Sequence, residues 1–98
     1  MPLFFVSPKA ERDIEDITTF IARDNSTRAL GFAKELRAKM TEVAKSPELY
    51  RERSELRAGL RAARHKHYLI FFRFAGERIE ILRVWHSARD QNDLFEAD

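Results

Sequence analysis

Two strand-length segments, Tyr68–Phe74 and Arg78–Trp85, are apolar on both of their faces, and this most restricts how the chain can fold. Both β-branched and aromatic residues favour strands there. A turn around Ala75-Gly76 joins them, and Gly76 can supply the positive φ that a two-residue hairpin loop demands. Strict alternation then puts Tyr68, Ile70, Phe72, Ile79, Ile81 and Arg83 on one face. The other face receives Leu69, Phe71, Leu82 and Val84, with Arg73, Arg78 and Glu80 toward the loop. Both faces need a cover, and an uncovered one marks an interaction surface. The hairpin leaves into a polar cluster of Arg83, His86, Ser87, Arg89 and Asp90.

The N-terminal half supplies one cover. Leu3–Val6 reads as a short strand. Ser7 followed by Pro8 reads as a helix N-cap with proline at the first helical position. Ala10, Ile14, Ile17 and Ile21 then recur at helical spacing, with Phe20 beside them. Asp24-Asn25-Ser26 interrupts that stripe and offers a new N-cap. Ala29, Phe32, Leu36, Met40 and Val43 form a second stripe, which Pro47 closes. The short link predicts an antiparallel helical hairpin. A charged connector, Glu48–Leu56, leads to a strand expected over about Arg57–His65. There Leu60 and Ala62 face one side, and Arg57, Arg61, Ala63 and His65 the other. The expected order is β-α-α-β-β-β: an α+β fold with two helices on a small, mostly antiparallel sheet. The helices can cover only one sheet face. The C-terminal tail, a partner, or both must meet the other. Asp93, Leu94 and Phe95 suit a final helical turn in that tail.

At 98 residues the chain is read as one domain, 1–98. It has no cysteine, which excludes disulfides, thiolate metal sites and a cysteine nucleophile. No apolar run approaches the ~20 residues of a membrane span, and Met1–Val6 is too short for a signal peptide. A soluble, cytoplasmic protein is expected. The net charge of +2 conceals an asymmetry. Residues 51–89 carry ten basic against four acidic side chains, whereas 90–98 carry only acids. Nine of the ten basics are arginine, whose planar fork suits phosphate and carboxylate. This half therefore predicts an anionic partner, either nucleic acid or an acidic protein segment.

Several motifs carry a family likeness. They are Ala10, Asp13, Ile14, Ile17 and Ile21 ahead of Asp24-Asn25; Ala29 and Phe32; Ser46-Pro47; the stretch Glu55–Arg61; the strand Tyr68–Arg73; and the exit Ile79–Asp90. The last two are the most specific. Together they resemble the ParE/RelE toxin superfamily of type II toxin–antitoxin systems over nearly the whole chain, and the ParE branch most closely. The resemblance implies a toxin neutralised by a cognate, ParD-like antitoxin. ParE-like toxins are associated with poisoning of DNA gyrase, and RelE-like toxins with ribosome-dependent cleavage of messenger RNA. The shared fold does not choose between them. A degenerate member that keeps antitoxin binding without toxicity is a third reading.

A metal-free ribonuclease needs a base, an acid and cations for the charged phosphorane. Arg61, Arg83 and His86 are the candidates for that chemistry. The alternative is structural, with Arg83 and His86 pinning the tail and Arg83 paired to Asp90 or Glu80. The absence of a late tyrosine and of a lysine pair in the strand before Tyr68 favours the structural role. No catalytic residue, cofactor or metal is therefore expected, and direct nucleic-acid binding belongs only to the nuclease reading. His65 and His67 are two possible ligands without a third, and read as solvent-facing strand residues. Arg51, Arg53 and Arg57 alternate with Glu52 and Glu55 and read as a self-neutralising loop. Trp85, Phe4 and Phe5 read as packing, Tyr68 as a buried ring with one hydrogen-bond partner, and Arg89-Asp90 as an ion pair ordering the tail. Leu69, Phe71, Leu82 and Val84 are the expected antitoxin-binding residues. Arg57, Arg61, Trp85, His86 and Arg89 are the candidates for contact with a target.

Overall fold

Ser7 starts the first helix as its residue type suggests. In a computed structural model, which describes residues 3–95, its hydroxyl accepts a hydrogen bond from the Ala10 N–H at 3.1 Å. Met1, Pro2 and the acidic end Glu96–Asp98 lie outside the described residues. Helix α1 covers Pro8–Ala22, with proline in its first turn, and follows strand β1, Phe4–Val6. Asn25 caps helix α2, Ser26–Lys45, by accepting from the Arg28 N–H at 3.0 Å. Pro47–Leu49 forms a single 3-10 turn. Strands β2, β3 and β4 follow at Arg61–His65, Tyr68–Ala75 and Arg78–His86.

The sheet order is β1-β4-β3-β2. Strand β1 runs parallel to β4, and the other two pairings are antiparallel. The β-α-α-β-β-β order and mostly antiparallel sheet are therefore as expected. The helical stripes land in the core: Ala29, Phe32, Leu36, Met40 and Val43 are all buried, and Ala10 and Ile14 join them from α1. All of these but Ala29 form one cluster with Ala63, Ile70, Phe72, Ile79 and Ile81 of the sheet.

Beyond shifts of one residue at the ends of β1, β3 and β4, two features differ from expectation. Strand β2 begins at Arg61 rather than Arg57, because Arg57–Leu60 closes a hydrogen-bonded turn through Gly59 at φ +80°. The β3–β4 loop is Gly76-Glu77, one residue later than Ala75-Gly76. Gly76 alone of that pair has positive φ, +67°, the pattern of a type II′ turn.

The larger correction concerns which way the residues of β4 face. Phe71 lies opposite Arg83 but Phe72 lies opposite Ile81, so Leu82 is an extra residue in β4. This β-bulge inverts the alternation beyond it. Val84 sits opposite Ile70 and is buried beneath the helices, not on the second face. Trp85 takes the second face beside Leu69 and Leu82. Arg83 leaves the helix-facing row.

That second face is covered largely by the chain itself. Phe71, Leu60 and Phe95 form a second buried cluster, with Leu56, Ala62, Leu69, Leu82, Trp85 and Leu94 around it. The Phe95 ring stands edge-on to Phe71 at 5.3 Å. A hydrogen-bonded turn, Leu94 N–H to the Gln91 carbonyl, brings Phe95 there. Of the four expected antitoxin contacts, Phe71 and Val84 are thus occupied within the fold. Leu69 and Leu82 stay half-buried.

Candidate functional site

The bulge in β4 is held from the side by α1. Strand β1 pairs with β4 only as far as Ile81, after which the Ser7 hydroxyl donates to the Leu82 carbonyl at 3.0 Å. Beyond that point the Val84 N–H would face no strand. Asp13 fills the gap, its Oδ2 accepting from the Val84 N–H at 3.0 Å. The same carboxylate takes both prongs of Arg83, Nε to Oδ2 at 2.7 Å and Nη2 to Oδ1 at 2.9 Å. Arg83 therefore pairs with Asp13, neither with Asp90 nor with Glu80. Glu80 is matched by Arg73 at 2.8 Å.

Next to this clamp lies a cleft of about 390 Å³ between α1 and the end of β4. Asp16, Ile17 and Phe20 form its helical wall, and Tyr68, Trp85, His86 and Arg89 the opposite one. The guanidinium of Arg89 lies 4.0 Å from the Trp85 ring centre and that of Arg83 5.0 Å. Such cation–π contacts hold the indole on its polar side. Arg89 thus orders the tail by stacking rather than by an ion pair with Asp90, whose carboxylate accepts instead from the Asn92 N–H. The Trp85 indole N–H is buried with no acceptor among the described residues. The Asp16 carboxylate and the Tyr68 hydroxyl likewise have no hydrogen-bond partner among the described residues, so the single partner expected for Tyr68 is not found. Phe20, 62% exposed, stands at the rim.

His86 is fixed locally. Its Nδ1 accepts from the Ala88 N–H at 3.1 Å, which places the proton of the neutral ring on Nε2. The ring lies edge-on to Tyr68 at 5.2 Å and stacks on His67 at 6.0 Å. His67 belongs to the β2–β3 turn and His65 to the end of β2, so the two do not share a strand face. His65 instead bonds Glu35 of α2 at 3.1 Å, and Lys66 bonds the same carboxylate at 2.8 Å. Hydrogen bonds from Lys66, then from His65, hold the Glu35 carboxyl below the usual glutamate range. No group of three or more metal-ligating side chains occurs among the described residues.

Arg61, Arg83 and His86 do not converge. Arg61 is opposite Phe72, whereas His86 is opposite Tyr68, four residues along β3 and two strands over. Strand geometry separates them by roughly 16 Å, too far to clamp one phosphate. Arg61 is also occupied, donating to the Tyr50 carbonyl at 2.6 Å and to Glu52 at 3.1 Å. The target candidates divide in the same way. Trp85, His86 and Arg89 share the α1–β4 cleft, Arg61 sits at the far sheet edge, and Arg57 lines a different cleft beside Leu82. Arg53, placed in a loop by the sequence, bonds Glu55 and Gln91 and so ties that loop to the tail.

The reading of the sequence missed the outward face of α1. Lys9, Arg12, Asp13, Asp16 and Phe20 recur at helical spacing opposite the apolar stripe, and every one lines a cleft. That second periodicity was the available signal.

Comparison with known proteins agrees with this geometry. Residues 4–91 match the family described as the ParE toxin of the type II toxin–antitoxin system, parDE. The chain is 33% identical over 89 residues to Toxin ParE1 of Caulobacter vibrioides, covering 90% of this chain and 92% of that protein. A chain of the chromosomal ParDE toxin–antitoxin system from P. aeruginosa has the same fold, with a TM-score of 0.73 at 19% identity, over 88% of this chain and 96% of that one.

Proposed function

The chain belongs to the ParE toxin family of type II toxin–antitoxin systems, and from that premise we propose that it inhibits DNA gyrase by protein binding and is neutralised by a ParD-like antitoxin. The observation that carries the binding reading is the fate of the cations a nuclease would need. Arg83 is spent on Asp13 and the bulge, and Arg61 on Tyr50 and Glu52. Arg61 is not placed to meet a phosphate beside His86, and Arg83 is held by Asp13. The α1–β4 cleft offers instead what protein recognition uses: an exposed aromatic rim at Phe20, a half-buried indole, and polar groups with bonding capacity to spare. Among the described residues no helix is long and apolar enough to cross a membrane.

In this account the toxin stabilises the state of gyrase in which DNA is cut, and contributes no bond-making step itself. The test is a supercoiling and DNA-cleavage assay with purified gyrase and increasing toxin. Loss of supercoiling with accumulation of linear DNA, reversed by the antitoxin, is the expected result. Undiminished supercoiling at large excess of folded toxin contradicts it. The messenger RNA endonuclease reading then becomes the one to pursue.

A further inference from the structure

Leu30 is the most exposed large apolar side chain of the two helices, at 69%. It stands at the rim of a groove of about 480 Å³ between α1 and α2. Thr18 and Ala22 line the α1 wall, and Ala29 and Ala33 the α2 wall. The 3.4 Å contact between Glu11 and Arg37 sets the antiparallel register of the two helices. Counting along both from that contact brings Glu15 level with Ala33 and Lys34, and Thr18 level with Leu30. Glu15 lies one turn from Glu11 on the outer edge of the α1 wall. Lys34 lies one turn from both Leu30 and Arg37 on the outer edge of the α2 wall. The groove thus has one acidic and one basic wall. The side chains of Glu15 and Lys34 make no hydrogen bond or ion pair among the described residues. Asp13, Asp16 and Phe20 lie on the other side of α1, where they line the α1–β4 cleft.

We propose that this groove is the interface of a symmetric dimer, occupied by a second copy of the chain. A two-fold axis running along the groove lays α1 of each copy against α2 of the other at the same level. Glu15 then meets Lys34 of the second copy, and Lys34 meets its Glu15. Leu30 of each copy comes down on Thr18 and Ala22 of the other and leaves water. The four helices together make a bundle. Charge selects both this arrangement and this occupant. A two-fold axis across the groove would set acidic wall on acidic wall and basic on basic. A foreign acidic segment would meet Glu11 and Glu15, and a foreign basic one Lys34 and Arg37, whereas a second copy offers each wall its opposite. The dimer leaves both α1–β4 cleats open to a target, and it does not depend on what that target is.

The test is sedimentation velocity of the free chain from ~1 to ~300 µM at ~50 mM salt. The mass is expected to rise from 11.5 kDa toward twice that value. Leu30→Glu should hold the chain at its monomer mass. Glu15→Lys or Lys34→Glu alone should weaken association about tenfold or more, since each sets like charges face to face. The two together should restore it, because the reversed charges match again. All three positions are exposed, so an unchanged far-ultraviolet circular dichroism spectrum verifies each fold. A mass of 11.5 kDa at every concentration overturns the proposal, as does a dimer that survives Leu30→Glu. A double reversal no better than either single one overturns the two-fold arrangement. A monomeric parent that binds the antitoxin, where the Leu30→Glu variant does not, overturns it in favour of the antitoxin as occupant. Sedimentation of the free chain involves no gyrase, so this reading and the preceding one fail separately.

Discussion

Replacing Asp13 with alanine removes the acceptor of three hydrogen bonds at once. Two come from Arg83 and one from the Val84 N–H. The Asp13 and Arg83 side chains are only 12% and 18% exposed, so water replaces the lost partner poorly. Hydrogen bonds to charged groups contribute about 1.5–3 kcal/mol, and a buried N–H left unmatched costs about 1–3 kcal/mol. Arg83 keeps its place near the Trp85 ring and some access to solvent, which favours the lower end of each range. The expected cost is therefore about 3 kcal/mol, at the low end of the ~3–5 of a fully buried broken pair. For a domain of this size that lowers Tm by roughly 12–24 °C. Asp13→Asn retains an oxygen for Val84 but loses the charge, so about 1–2 kcal/mol is expected. Combining Asp13→Ala with Arg83→Met should cost less than the two separately, by about 1–2 kcal/mol, because the second change removes a cation the first has stranded. Urea unfolding followed by far-ultraviolet circular dichroism and by fluorescence of the single tryptophan, Trp85, measures the parent, the three single variants and the double one. An Asp13→Ala variant within about 0.5 kcal/mol of the parent, the usual range for a surface change, would refute the claim that Asp13 completes the edge of β4.

Ser7→Ala removes both the α1 cap and the bond to the Leu82 carbonyl, and should cost about 1–2 kcal/mol in the same unfolding assay. Phe95→Ala strips the edge-on ring from Phe71. It should cost about 3 kcal/mol and raise binding of a hydrophobic dye as the second face opens. The Glu35 carboxyl is depressed by Lys66 and His65. Its stabilising contribution is complete above the ordinary glutamate range and is lost as pH falls through the lower folded value. Glu35→Gln should flatten that part of a Tm-against-pH curve, and an unchanged acid limb would count against the assignment.

Much of the fold could be read from local patterns. The Ser7-Pro8 start, the Asn25 cap and the stripe Ala29, Phe32, Leu36, Met40, Val43 each depend on residues close in sequence, where spacing and geometry are tied directly. The bulge at Leu82 could not be read that way. Its cause is a carboxylate seventy residues earlier, and alternation carries no mark of an inserted residue. One displaced position moved Val84 into the core and brought Trp85 to the second face, and the expected binding set was drawn from that parity. The cover over Phe71 was foreseen as tail or partner, and the chain supplies Phe95. The site was legible only in pieces. Trp85, His86 and Arg89 stand next to each other in sequence and share a cleft, but its other wall comes from α1. In the sequence, Asp13 stands out only as one residue of the family likeness. The Arg12–Asp13–Asp16–Phe20 face was eclipsed by the apolar stripe behind it.

The central claim is that toxicity comes from binding gyrase and not from chemistry at Arg61 and His86. Its most direct test compares the parent with an Arg61→Ala, His86→Gln variant in the gyrase supercoiling titration, with ribosome-bound messenger RNA assayed alongside. Arg83 is left intact because its loss would unfold the bulge. The account predicts inhibition of gyrase by both proteins, weaker but not abolished in the variant because His86 lines the α1–β4 cleft, and intact messenger RNA with either. Messenger RNA cut by the parent and spared by the variant, with gyrase unaffected by both, would contradict it.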